Sequence, residues 1–200
     1  MILFWRPRST NCSRRAARPD RRRQAGISLE RLNLMSLDPS YKRPSVGVGT
    51  PAPELEATGW LNCQPFRLAD LRGYVTLVEF WTFDCVNCQN VLPHVLQWHQ
   101  LYGSRGLVII GVHTPEFRHE RELKNVQAVV QQTGIQYPVV LDNDFSTWRA
   151  YRNRYWPSFY LVDRRGVIRY THVGEGSYEQ TRRAIEALLA EPAQPDRASG

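Results

Sequence analysis

Most of what could classify this chain quickly is scarce in it. Four cysteines in 200 residues do not make a disulfide scaffold, so the chain must be held by an apolar core. At this length one domain plus tails buries such a core readily. No run approaches the ~18 consecutive apolar residues of a membrane-spanning helix, and no internal repeat appears. Acidic residues are nearly missing from the start: residues 1–25 hold eight arginines and one acid, Asp20. The rest carries 18 basic and 18 acidic residues, so the net charge of +7 belongs to the first 25.

That segment is expected to be a disordered basic extension. Its apolar start, Met1–Trp5, is too short for a signal peptide and precedes the charges. Arg14-Arg15 lacks the apolar run of a twin-arginine signal, and Met35 is an alternative first residue. As the chain stands, with no export signal, a cytoplasmic location is expected. No nucleic-acid partner is expected from a basic tail alone, and the chain should be a monomer. The expected layout is tail and linker at 1–45, one domain at 46–191 and a flexible tail at 192–200.

The rest is arranged around residues 75–93. Val75–Phe80 is a β-branched, apolar run that reads as a buried strand. Val91, Leu92, Val95 and Leu96 recur at helical spacing. Cys85-Val86-Asn87-Cys88 falls on the turn between them. Cys85 would sit at a helix N-terminus, where free N–H groups and the macrodipole favour a thiolate, the nucleophilic form. Cys88, one turn on, could resolve a mixed disulfide formed at Cys85.

The remaining pattern predicts a Pro/Gly-rich linker at 36–53, a β-hairpin over Glu54–Leu68 and a short turn at 69–72. Strands follow at 74–80, 107–112 and 138–141, with helices at 86–102 (kinked at Pro93), 119–133 and 144–150. An antiparallel hairpin pairs 158–162 with 167–172, and an amphipathic helix at 178–189 closes the domain. This is an α/β fold: a mixed sheet with helices on both faces.

Three separated motifs, Glu79–Gln89, Gly111–Phe117 and Tyr151–Pro157, resemble the thioredoxin superfamily. Within it they resemble TlpA-like redoxins and the soluble domain of DipZ-type cytochrome c biogenesis proteins. The resemblance implies a thioredoxin fold with an N-terminal hairpin extension. It also implies a thiol–disulfide oxidoreductase with Cys85 attacking, Cys88 resolving and no cofactor. Its partners would be protein thiols or disulfides and an upstream electron donor or acceptor, in an extracytoplasmic compartment. Glu79, an acid inside a buried strand, corresponds to the acid that relays a proton to the resolving cysteine; an ion pair or a solvated face is the alternative.

Pro157 corresponds to the superfamily's cis-proline, with Trp156 presenting backbone to substrate. Trp81 is expected beneath the dithiol, and Asp84 and Asn87 on its rim. His113 and Glu116 follow a parallel strand on the same side, where contact with substrate or protons and capping of the next helix are both open. Asp84 stands where thioredoxin has an aromatic residue, and its charge works against thiolate formation. Two other readings start from the same residues. Thr82-x-x-Cys85 matches the end of a peroxidatic pattern, whose proline position is Val78 here. Cys85, Cys88, His94 and His99 could instead be a zinc module, though their spacing is poor for one. Cys63 reads as a small, partly buried residue, and Cys12 lies in the tail.

Overall fold

The computed structural model describes residues 46–192. The expectations for residues 1–45, including Cys12 and Met35, and for 193–200 lie outside the described residues.

Six strands form one mixed sheet: β1 (Gly59–Leu61), β2 (Val75–Trp81), β3 (Leu107–His113), β4 (Val139–Leu141), β5 (Ser158–Val162) and β6 (Ile168–Val173). Their order is β1-β4-β3-β2-β5-β6. β2, β3 and β4 run parallel; β1, β5 and β6 pair antiparallel to their neighbours. β2 and β3 are buried along their whole length, as their continuous apolar sequences require of central parallel strands. Four α-helices accompany the sheet: α1 (Val86–Tyr102), α2 (Leu123–Thr133), α3 (Ser146–Ala150) and α4 (Tyr178–Ala190). α1 runs without a break through Pro93.

Side chains alternate across β2. Val75, Leu77 and Trp81 join Val91, Val95 and Trp98 of α1, Val126 and Val130 of α2 and Ile185 and Leu188 of α4 in one core. Val78 and Phe80 face the other, with Ile110, Val140, Tyr151 and Tyr160. The three long helices thus all cover one face. The opposite face is closed by α3, the short helical turn Leu68–Leu71 and partly buried Val46, Ala52 and Leu55.

Two sequence expectations are corrected. Residues 54–68 form no hairpin, because their polar groups are spent on other elements. Strand β1 pairs with β4, Thr58 donates from N and Oγ1 to Leu141 O, and the Glu54 carboxylate accepts from Leu68 N and Ala69 N. The single strand covers the β4 edge, which would otherwise offer unpaired N–H and C=O groups. The last part of the expected linker is docked rather than free: Gly49 N and Ala52 N donate to Ile168 O and Gly166 O, and Ile168 N to Thr50 O. Among the described residues no helix is long and apolar enough to cross a membrane.

Candidate active site

Strand β2 ends at Trp81, and a four-residue turn leads to α1, whose N-cap is Cys85 in extended conformation. The N-cap position leaves first-turn N–H groups of α1 open toward the Cys85 side of the helix. Cys85 is half-buried and reduced; Cys88 is buried and reduced. The Cys88 thiol lies within hydrogen-bonding reach of the Cys85 sulfur and of the Thr82 backbone. Burial, first, and the bond to Cys85, second, push the Cys88 pKa far above the thiol range, and the Cys85 and Glu79 charges push the same way. Cys88 therefore stays protonated until a base takes its proton. A cleft of about 240 Å³ opens beside it, with Trp81, Asp84, Leu92 and Val129 in its walls.

Glu79 is 2 % exposed, on the same face of β2 as Leu77 and Trp81. The Tyr137 hydroxyl donates to its Oε2 at 3.4 Å. Desolvation raises the Glu79 pKa to about 8, against the smaller opposing effect of that hydrogen bond. The alternative of a solvated face does not hold. Gly111, opposite Glu79 on β3, makes the space: a Cβ there would lie 2.8 Å from Trp81 Nε1 and 3.1 Å from the Tyr137 ring. Trp81 lies beneath the dithiol turn, in the core that includes Cys88.

The Trp156–Pro157 bond is cis. Trp156 is half-buried, donates from Nε1 to Thr114 O at 3.1 Å and stacks near Trp148 at 4.3 Å. Asn87 is exposed on the first turn of α1, and Glu116 is exposed on the loop after β3. Asp84 is exposed and bonded to His119 Nε2, so its charge is shared with that imidazole when protonated. His113 is fully buried, between Trp81 (5.1 Å) and Phe83 (5.6 Å). Burial lowers its pKa to about 4, outweighing the attraction of Glu120. A neutral, enclosed imidazole does not reach a protein substrate. The structure thus brings Cys85, Cys88, Glu79, Trp81 and Asp84 together and withdraws His113 into the core.

Sequence reasoning missed Glu120, in the short helical turn Arg118–Arg121. It is fully buried and accepts from the Thr82 hydroxyl, Asp84 N (3.1 Å), Glu116 N (2.6 Å) and Phe117 N (2.7 Å). Burial raises its pKa, but these four bonds together win and hold it below the ordinary glutamate value. Amid Arg118, His119, Arg121 and Glu122, one more charge reads as a solvated face; no pattern in the sequence separates it.

The histidines of the zinc reading point elsewhere. His94 stacks on Tyr178 at 3.7 Å and His99 packs edge-on to Tyr137 at 5.6 Å. Among the described residues no group of three or more His, Cys, Asp or Glu could hold a metal ion.

Residues 48–171 match the AhpC/TSA family. Over 142 residues the chain is 47 % identical to protein DipZ of Mycobacterium bovis, covering 69 % of this chain and 20 % of that protein. It is 26 % identical to the thiol-disulfide oxidoreductase YkuV of Bacillus subtilis, over 70 % of this chain and 95 % of YkuV. A solved thiol-disulfide isomerase from Corynebacterium glutamicum superposes with a TM-score of 0.63 at 28 % identity, over 70 % of this chain and 98 % of that one. The chain spans about a fifth of the length of the DipZ proteins it matches.

Proposed function

Because this chain belongs to the AhpC/TSA family, we propose that it exchanges disulfides with protein substrates through Cys85 and Cys88. The observation that carries the reading is the pairing of a half-buried Cys85 at a helix N-cap with a buried Cys88 one turn on.

In the reducing direction the Cys85 thiolate attacks one sulfur of a substrate disulfide. A Cys85–substrate disulfide forms and the other substrate sulfur leaves as a thiolate. Cys88 gives its proton to ionised Glu79, and the Cys88 thiolate attacks the Cys85 sulfur. A Cys85–Cys88 disulfide forms and the second substrate sulfur leaves. The substrate gains two electrons and the protein loses two, which a donor dithiol protein must restore. A Glu79 pKa of about 8 suits this transfer, since both protonation states are populated near neutral pH. The cleft beside Cys88 lies between the dithiol turn, α1 and α2, and half-buried Trp156, next to buried Pro157, offers a rim for an extended peptide on the loop tied to Thr114.

The likeness to the thiol-disulfide oxidoreductase YkuV and to the Corynebacterium glutamicum thiol-disulfide isomerase supports the exchange chemistry. The peroxidatic alternative rests on the Thr82-x-x-Cys85 pattern, but its proline position is Val78, and the Thr82 hydroxyl is buried and donates to Glu120. The test is trapping. Cys88→Ser is expected to accumulate a disulfide adduct with a model protein disulfide such as insulin, and Cys85→Ser none. An adduct on Cys88 instead of Cys85, or peroxide consumption without insulin reduction by wild type, overturns the proposal.

A further inference from the structure

The Glu120 carboxylate splits its two oxygens between two loops. Oε1 accepts from Thr82 Oγ1 and Asp84 N, on the turn that carries Cys85. Oε2 accepts from Glu116 N and Phe117 N, on the loop that follows β3. That loop is in turn tied to the cis-proline segment, through Trp156 Nε1 to Thr114 O, and to β2, through Thr114 N to Trp81 O. The Thr82 hydroxyl, which donates to Glu120, also lies 3.4 Å from His113 Nε2 and can accept from it in that tautomer.

We propose that Glu120 is a positioning residue that clamps the dithiol turn to the loop bearing the substrate rim, so that Cys85 and the Thr114–Trp156 contact keep one relative geometry. The inference rests on the dithiol reading above. It does not make Glu120 a reactant: the carboxylate touches no sulfur and is closed off from solvent.

The clamp depends on a carboxylate rather than on size. In Glu120→Gln the amide oxygen can serve one pair of donors while the amide NH₂ faces the other. Against Glu116 N and Phe117 N both contacts are donor against donor; on the dithiol turn Asp84 N is opposed, although the Thr82 hydroxyl can turn to accept. One loop loses at least one backbone contact whichever way the amide turns. The chemistry of Cys85 itself should survive, while its alignment with a bound peptide should not. The experiment compares two rates on the full chain: insulin-disulfide reduction, which needs the rim, and alkylation of Cys85 by iodoacetamide, which does not. Glu120→Gln is expected to lower kcat/KM for insulin about 10- to 100-fold and to leave alkylation within about threefold. Loss of both rates to the same extent, or of neither, overturns the clamp.

Thr82 supplies an independent arm should Glu120→Gln fail to fold. Thr82→Val removes one donor and should shift the ratio of the two rates the same way by a smaller factor. Thr82→Ser keeps the hydroxyl and should restore the wild-type ratio; a serine variant as impaired as the valine one overturns the proposal. Wild-type protein inert toward insulin disulfides would instead sink the dithiol reading, a separate result from an active wild type whose ratio neither series moves.

Discussion

Glu79 and Glu120 are both buried carboxylates beside one dithiol, and they behave in opposite ways. Glu79 sits in the middle of β2 with the Tyr137 hydroxyl at 3.4 Å, and burial raises its pKa to about 8. Glu120 sits at the end of a loop where backbone N–H groups are still open, gathers four donors and stays ionised. The strand has already committed its amides to β3 and β5, so none is left for Glu79. Burial alone therefore does not decide what a carboxylate does; the supply of donors does. Here it divides an acid whose pKa is raised toward neutral pH from one whose pKa is lowered, which is the basis of the two roles proposed above.

The strongest way to break this contrast is the pH dependence of stability. Between pH 4.5 and 8 folded Glu79 keeps a proton that the unfolded chain releases, so its contribution to stability falls as pH rises through that window. Glu79→Gln is neutral throughout. Relative to wild type it should gain stability from pH 5 to pH 8, by about 3.5 kcal/mol. Denaturant midpoints at the two pH values check this. An unchanged difference would mean that Glu79 is not held protonated by its surroundings.

Glu120 should show the reverse sign. Its lowered pKa means that its stabilisation is complete above the ordinary glutamate value and is lost as pH falls through the folded value. Glu120→Gln leaves at least one buried backbone donor unmet, for a loss of about 1–3 kcal/mol at pH 6 to 8. The loss should shrink only below about pH 4.5. Thermal unfolding of both proteins across this range gives the sign directly; a loss that grows toward acid contradicts the clamp geometry.

The same contrast explains what could be read from the sequence. The β2–turn–α1 unit was legible because its apolar runs and Cys-x-x-Cys are local signals, and Glu79 stood out as the one charge in a buried strand. Glu120 lies 38 residues from Thr82, the turn residue whose hydroxyl it binds, and is embedded in a charged stretch, so only the packing of β3 beside β2 reveals its role. His113 misled for a related reason: the carboxyl end of a parallel strand is a common ligand rim, but the aromatic rings of Trp81 and Phe83 close over it. The expected hairpin failed because residues 54–68 meet hydrogen-bond partners 70 to 90 residues away, beyond any local pattern.

The smallest expected effect sharpens the comparison most. If donors decide the fate of each carboxylate, removing the hydroxyl that Tyr137 aims at Glu79 must move Glu79 further from Glu120. Tyr137 is itself deeply buried, and desolvation first, then the Glu79 charge, hold its hydroxyl protonated well above the usual range, so it remains a donor wherever Glu79 titrates. Tyr137→Phe keeps the ring that packs against His99 and fills the space left by Gly111. It removes only the hydroxyl. A net hydrogen bond contributes about 0.5–1.5 kcal/mol, less at 3.4 Å, and a pH unit corresponds to about 1.4 kcal/mol. The Glu79 midpoint, followed by carboxyl carbon NMR, should therefore rise above about 8 by a few tenths of a pH unit. The pH at which Cys88 closes the disulfide half-maximally should rise with it. A midpoint that falls, or a closure profile that stays put while the carboxyl moves, would show that Glu79 is not the group that takes the proton from Cys88.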